Sequence, residues 1–123
     1  MKSWPSAPQL DRARDHYLRG LDMAIEAGNR PVAIGLLSLV ASLENDAGQH
    51  QRAVRLWAAS ESLKAASGTV RPAVASRLLG DPIGVARTAI GDAAVGAAIE
   101  QGSRLDYESA LDLAHRYGRT RPA

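Results

Sequence analysis

The feature that most constrains this chain is a pattern that recurs after 40 residues. Each copy holds an Arg-Ala pair, then a large aromatic residue, a small residue and a glycine. The two copies are Arg12, Ala13, Tyr17, Gly20 and Gly28 in the first and Arg52, Ala53, Trp57, Ser60 and Gly68 in the second. Such self-similarity is typical of stacked helical arrays, because one helix pair buries its apolar face only against a neighbouring pair. The sequence therefore predicts a binding scaffold, not an active site.

The composition favours closely packed helices. The chain is 46% hydrophobic, but it contains no phenylalanine and only two tryptophans and three tyrosines. Valine and isoleucine fall at helical spacing and not in alternating runs, which disfavours strands. A length of 123 residues fits one domain. We expect an all-α fold in which residues 1–123 form a single array of antiparallel helix pairs with a short helical cap.

Charge and cysteine content narrow the possible partners and cofactors. The net charge of +2 is too small an excess to indicate nucleic-acid binding. No cysteine is present, so disulfides, thiolate nucleophiles and cysteine-ligated metals are excluded. The amino terminus lacks the apolar segment of a secretory signal, and no apolar run approaches the roughly 20 residues that span a bilayer. We expect a cytoplasmic protein with no membrane partner.

Three long helices are predicted in residues 6–68. Apolar residues recur at helical spacing in three stretches, and a glycine follows each stretch. N-cap residues precede the first two stretches. The second stripe is apolar around much of its girth, so this helix is expected to be the most buried. The predicted helices are residues 7–27, the segment between the cap Asn29 and Gly48, and residues 49–67.

The pattern of residues 69–118 predicts a group of short helices that covers the end of the array. The apolar cluster that ends at Leu79 indicates a helix of one or two turns or a loop. Aspartates then stand before three short apolar stripes, which is the position of an N-cap. The predicted N-cap residues are Asp81, Asp92 and Asp106. The helices that follow them are expected to end at Gly91, Gly102 and Gly118. Residues 119–123 lack large apolar side chains and are expected to fray.

The pair formed by the second and third predicted helices resembles a tetratricopeptide repeat. Val40-Ala41 stands where that family carries a leucine and a small residue, Gly48 at its inter-helix turn, and Trp57 at its groove-filling aromatic position. Glu44 departs from the family pattern, which has an aromatic residue there. The period of 40 exceeds the usual length of about 34. It is similar to the longer repeats at the carboxyl end of bacterial signalling ATPases, including regulators with a LuxR-type DNA-binding domain.

The closing part of the chain carries the same resemblance. In those proteins an alanine-rich cap contains a helix ending in Leu-Gly, a helix ending in Glu-Gly and a final helix that begins Leu-Ser-x-Glu-Glu-Ala. The matching residues are Ile90-Gly91, Gln101-Gly102 and residues 105–110. The resemblance implies a protein-interaction or regulatory module. Nothing here corresponds to the phosphate-binding loop, the cyclase or the DNA-reading helix of those proteins, so their activities do not transfer.

The outward face of the second helix is the predicted site of partner binding. In arrays of this type the first helix of each pair lines a concave groove. The residues expected on that face are Gly35, Ser38, Ser42, Asn45 and Asp46. They are small and polar, so the groove could admit a peptide or a partner helix, although a merely hydrated helix face would look the same. The alternative function is small-molecule sensing, with an effector held in a pocket between Tyr17 and Trp57.

No enzyme, cofactor or metal site is expected. The histidines His16, His50 and His115 lie on different elements without the i, i+4 spacing of a zinc pair. No phosphate-binding, dinucleotide or hydrolase motif is present. The first helix is expected to carry an exposed face of weak ion pairs, formed by Asp11, Arg12, Arg14, Asp15, Arg19, Asp22 and Glu26. The basic end formed by Arg104, Arg116, Arg119 and Arg121 has no interleaved aromatic residues, so nucleic-acid binding is not expected.

The first helix matches the second member of a pair whose first member is missing. An apolar flank of that helix should therefore lack its normal cover. Large open apolar patches are rare on monomers. We expect the partner to be another protein or peptide or a further copy of this chain, in a homo-oligomer or a longer array.

Overall fold

The computed structural model describes residues 7–68 and 80–119, and every regular element in this part is an α-helix. The helices are α1 (Ala7–Glu26), α2 (Arg30–Asp46), α3 (His50–Ser67), α4 (Pro82–Ile90), α5 (Asp92–Ser103) and α6 (Tyr107–Arg119). The all-α prediction is confirmed. The helix or loop predicted between Gly68 and Gly80 lies outside the described residues, and so does the tail at residues 120–123.

A glycine with a left-handed backbone follows each of the first three helices. The φ angle is +69° at Gly28, +82° at Gly48 and +72° at Gly68. After α1, the backbone N–H of Asn29 donates to the carbonyl of Ala24 at 2.8 Å, and the turn after α2 repeats this bond at 2.7 Å. This bond satisfies a carbonyl that the helix end leaves without a partner. The 40-residue period therefore spans the two helices α1 and α2, and the chain reverses in the same way after each of them.

Helix α2 lies between α1 and α3 and packs against both. More residues are buried in α2 than in any other described helix, as its apolar girth predicts. On the α1 side, a Cβ atom placed on Gly20 would lie 3.6 Å from the side chain of Leu36. On the α3 side, the Ser60 hydroxyl donates to the carbonyl of Ile34 at 3.1 Å. Gly20 and Ser60 are equivalent in the repeat, and both allow close contact with α2.

One apolar cluster joins residues of α1, α2, α3 and α6. A second apolar cluster joins α3, α4 and α5. Its buried members are Val54 of α3, Ala86 of α4, and Val95 and Ala98 of α5. The Asp81 carboxylate caps α4, as predicted, by accepting the backbone N–H of Gly84 at 3.0 Å. Helix α3 therefore belongs to both clusters and connects the repeat helices to the cap.

The structure corrects two predictions for α5. Asp92 is not its N-cap, because Gly91 holds that position and Asp92 is the first helical residue. The Asp92 carboxylate instead pairs with the guanidinium of Arg87 at 2.8 Å. Gly102 does not end the helix, which continues to Ser103. The sequence suggested a stop because glycine is common after helices, but Gly102 is buried where α5 crosses α3.

Asp106 caps α6 as predicted. Its carboxylate accepts the backbone N–H of Ser109 at 2.8 Å, and this hydrogen bond lowers the pKa of the Asp106 carboxyl below its ordinary value of 3.8. Leu105 before the cap packs on the same apolar cluster that contains Ala110, which is the arrangement of a hydrophobic staple. The helix runs to Arg119, one residue beyond the predicted end at Gly118.

We expect Asp106→Asn to change the response of the chain to acid. Asparagine keeps the capping hydrogen bond but removes the charge at the helix amino terminus. Because the folded pKa of Asp106 is lowered, its stabilisation is complete above the unfolded pKa and is lost as the pH falls through the folded pKa. The unfolding free energies of the two chains, measured in urea, should differ at neutral pH and converge below pH 3.8. A difference that stays constant over this range would contradict the assignment.

Candidate partner-binding surface

The five residues predicted to bind a partner do not share one environment. Gly35 and Asp46 are exposed and Ser42 is half-buried. Ser38 and Asn45 are buried, so their prediction as outward-facing residues is wrong. The predicted face is rotated toward α3 and α4, which cover one side of it.

Ser38 is buried because it takes part in a hydroxyl contact between two helices. Its Oγ atom lies 2.5 Å from Oγ of Ser60 on α3. The Ser60 hydroxyl also donates to the carbonyl of Ile34, one turn before Ser38. Small polar residues in such a position satisfy each other within a tight helix crossing and need no solvent. Ser38 therefore joins α2 to α3.

Asn45 is buried because it bonds to the start of α4. Its Nδ2 atom donates to the carbonyl of Pro82 at 3.0 Å. Its Oδ1 atom accepts from Nδ1 of His50 at 2.8 Å. The amide thus positions α4 relative to the turn between α2 and α3, and both of its polar ends are used.

A stripe of exposed and half-buried residues nevertheless runs along α2. We define the outer α2 stripe as the residues at alternating spacings of three and four, namely Val32, Gly35, Leu39, Ser42 and Asp46. This spacing places them on one side of the helix. Val32 is 48% exposed, and Met23 on the neighbouring α1 is 70% exposed. The stripe therefore has an apolar end near Val32 and a polar end at Asp46.

A small pocket lies at the polar end of the stripe. It has a volume of about 80 Å³ and is lined by Ser42, Asn45, Asp46, Pro82 and Val85. Val85 is 54% exposed. Pockets that hold drug-sized ligands measure roughly 300–1,000 Å³, so this one has room for the end of one side chain. Three of its five lining residues belong to the predicted partner-binding face of α2, and the other two come from α4, which the pattern of α2 does not indicate.

The pocket combines a carboxylate and other polar groups with the apolar side chains of Pro82 and Val85. Asp46 is exposed as a residue, but its neighbours partly shield the carboxyl group from water, which disfavours the charged form and raises the pKa of that carboxyl above the ordinary value of 3.8. A cation brought to this carboxylate would restore the favourable electrostatics that burial removes. A lysine or arginine side chain matches both features, because its apolar stem can contact Val85 while its charged end approaches Asp46.

The aromatic residues of the two repeat copies have similar surroundings. Tyr17 and Trp57 are both half-buried and pack against the same apolar cluster, which includes residues of α1, α2, α3 and α6. The ammonium of Lys64 lies 5.9 Å from the centre of the Trp57 ring. The 80 Å³ pocket touches neither ring. Packing accounts for both side chains without a bound effector.

The structure corrects the prediction that Arg14 belongs to an exposed ionic face. Arg14 is buried, and its Nε atom bonds to Oε1 of Glu44 on α2 at 3.0 Å. Glu44 is only 1% exposed. Arg14 also reaches Asp11 at 3.3 Å. The signal for this pair was in the sequence, since Arg14 stands seven residues before the buried Leu21 and so shares its helix face.

One exposed ion pair on the predicted ionic face of α1 agrees with the structure. Arg19 pairs with Asp15 at 2.9 Å, and their side chains are 77% and 61% exposed. At the basic end, Arg104 pairs with Glu100, and the side chains of Arg119 and Arg121 lie outside the described residues.

The described histidines have separate partners. His16 is exposed, His50 bonds to Asn45, and His115 bridges Asp22 and the carbonyl of Leu111. Within residues 7–68 and 80–119, no three histidine, aspartate or glutamate side chains form a cluster that could hold a metal ion. In the same part of the chain, no helix is long and apolar enough to cross a bilayer.

Comparisons with known proteins do not assign the chain to a family. No protein-family model matches its sequence, no curated protein is significantly similar to it, and no solved structure matches its fold.

Proposed function

We propose that the chain is a protein-interaction module of the tetratricopeptide-like type, and that the outer α2 stripe binds a helix or peptide of a partner protein. The observation that carries this proposal is the continuity of the stripe with the pocket between Asp46 and Val85. Helix-in-groove recognition uses anchors at i, i+3, i+4 and i+7, and the stripe offers matching positions along α2.

The expected partner has two chemical features. Apolar side chains would contact Val32 and the half-buried Leu39, where the stripe is apolar. A lysine or arginine would enter the pocket, with its stem against Val85 and its charge near Asp46. Buried anchors of this kind carry most of the energy of an interface. Because the repeat resembles those of bacterial signalling ATPases and transcription regulators, we propose that the module belongs to the carboxyl end of such a protein and acts in the cytoplasm.

Ser42→Arg tests this proposal, because the new side chain fills the pocket from within. Arginine at position 42 lies one turn before Asp46 and can pair with its carboxylate. A photoreactive residue at position 85 first captures the partner in the native host, and the affinity of the purified partner is then measured. We expect Ser42→Arg to weaken binding at least ~10-fold, which is about 1.4 kcal/mol.

Ala97→Arg is the matched control, because it adds the same side chain at an exposed position of α5. Binding should be unchanged in this variant. Equal weakening by both substitutions would show that the loss comes from net charge and not from the pocket. Failure to capture any protein at position 85 above the level at position 97 would contradict the proposal.

A further inference from the structure

The carboxyl-terminal helix α6 returns to the first three helices. Ala110, Leu111 and Ala114 are buried in the apolar cluster that contains residues of α1, α2 and α3. Among the described helices, α6 makes no substantial packing contact with α4 or α5, which precede it in sequence. Residues 104–106 therefore lead the chain from α4 and α5 back to the first three helices.

Helix α6 fills a cleft that the first three helices leave between them. Helices α1 and α3 both pack on α2, but in the described part of the chain they make no substantial contact with each other. The cleft between them therefore has α2 as its floor. We call it the α1–α3 groove. The buried apolar residues of α1, α2 and α3 that share a cluster with α6 include Leu21, Ala24, Leu37, Leu56 and Ala59.

We propose that the α1–α3 groove is a docking site for an amphipathic helix of a partner protein, and that α6 is its tethered occupant. The residues of α6 that pack into the cluster have the spacing of a helix-in-groove ligand: Tyr107, Ala110, Leu111 and Ala114. The intervening Glu108, Ser109 and Asp112 are exposed. The partner helix carries the same order of an aromatic residue, an Ala-Leu pair and a second small residue.

Two contacts at the rim of the groove specify the partner further. Nε2 of His115 lies 2.6 Å from Oδ1 of Asp22, and the Arg30 guanidinium lies 4.1 Å from the centre of the Tyr107 ring. Asp22 and Arg30 are exposed, and pairs that involve exposed charges are individually weak. They orient α6 without fixing it in place. A competing helix would use a histidine or a cation to reach Asp22 and an aromatic ring to reach Arg30.

This docking site is separate from the surface in the proposed function. The outer α2 stripe is on the exposed side of α2, whereas Leu37 in the groove floor is fully buried. Loss of binding at one surface therefore leaves the other intact, and the experiments on each distinguish them.

Hydrogen exchange in the unmodified chain tests whether α6 is a displaceable occupant. A tethered helix opens locally while the helices that form its groove stay folded. We expect the backbone amides of α6 to exchange at least ~10-fold faster than the slowest amides of α2. If the α6 amides exchange only at the rate of global unfolding, α6 is a permanent part of the core and the proposal is wrong.

A labelled synthetic peptide of residues 104–119 tests the groove directly. A helix tethered by a short linker competes at an effective concentration of about millimolar, so the unmodified chain should bind the peptide poorly. Full-length chains with Leu111→Glu or Ala114→Glu keep the groove but weaken their own α6. We expect them to bind the peptide at least ~10-fold more tightly than the unmodified chain.

Two controls separate groove binding from nonspecific association. The chain has no cysteine, so Asp22→Cys/His115→Cys can be joined by a bifunctional thiol reagent that keeps α6 in the groove. This linked chain should not bind the peptide, and a peptide with Leu111→Glu should bind no variant. The proposal is overturned if both glutamate variants are helical by circular dichroism and do not bind the peptide. Dimerisation that the peptide fails to compete would assign the groove to a second copy of this chain and would also overturn it.

Discussion

Gly102→Ala is expected to destabilise the chain by about 1–3 kcal/mol, the usual cost of forcing an extra methyl group into a packed core. A Cβ atom at this position would collide with the backbone carbonyl of Arg55 and would lie 2.9 Å from Cβ of Ala58. Neither atom belongs to a flexible side chain, so α5 must move away from α3. The free energy of unfolding in urea measures the loss, which would extend to the contact between Arg55 and Gln101.

Gly96→Ala is the control for this prediction, because it makes the same substitution in the same helix. Gly96 is exposed, and a Cβ atom added there would have no neighbouring atom within 4 Å. Alanine should stabilise α5 at this position by roughly 0.5–1 kcal/mol through its better helix propensity. We expect the free energy of unfolding to fall in Gly102→Ala and to rise in Gly96→Ala. Stabilisation at both would mean that α5 does not cross α3 as closely as the structure indicates.

The helix boundaries could be predicted from sequence because they depend on neighbours in the chain. Asn29, Asp81 and Asp106 each accept a backbone N–H three residues later, and the glycines at 28 and 48 close the preceding helices. These are short-range interactions with known residue preferences. Asp92 shows the limit of this logic, since Gly91 takes the cap position and leaves the aspartate inside the helix.

The contents of the partner-binding surface could be predicted only in part, because the position of α4 does not follow from the sequence of α2. The sequence shows that Ser38, Ser42, Asn45 and Asp46 are polar. It does not show that α3 and α4 bury Ser38 and Asn45 while leaving Ser42 and Asp46 accessible. The pocket itself depends on Val85, which the α2 pattern could not indicate.

A contact between helices far apart in sequence covers part of the α1 flank that was predicted to lack a neighbour. The repeat predicts that one flank of α1 lacks its neighbour, and the structure places α6 against α1, where His115 meets Asp22. Part of the missing cover therefore comes from the end of the same chain. Met23 stays exposed on another side of α1. Homo-oligomerisation and membership of a longer array remain predictions.

Breaking the buried pair between Arg14 and Glu44 is expected to destabilise the chain more than Gly102→Ala does. Arg14→Met leaves the Glu44 carboxylate buried without its cation, and removing one partner of a buried ion pair costs about 3–5 kcal/mol. Among the residues that the structure describes, no group donates to Oε2 of Glu44, so Arg14 is its essential partner. Urea unfolding at neutral pH measures the loss.

The reverse substitution should be less damaging, because the two partners are not equally dependent on each other. In Glu44→Leu, Arg14 keeps its contact with the Asp11 carboxylate at 3.3 Å. The Asp11 side chain is 35% exposed, so the arginine retains a partner near the surface. Arg19→Ala provides the exposed control, since its pair with Asp15 should contribute no more than about 0.5 kcal/mol. The expected order of destabilisation is Arg14→Met, then Glu44→Leu, then Arg19→Ala.

The double variant Arg14→Met/Glu44→Leu decides what the pair does for the fold. Two apolar side chains of similar size remove both desolvation penalties at once, so stability should return to within ~1 kcal/mol of the original chain or exceed it. The double-mutant cycle then gives a large coupling energy between two residues 30 positions apart. Additive losses in the cycle would show that the two side chains act separately. Recovery would instead show that the pair adds no net stability over two apolar side chains of similar size.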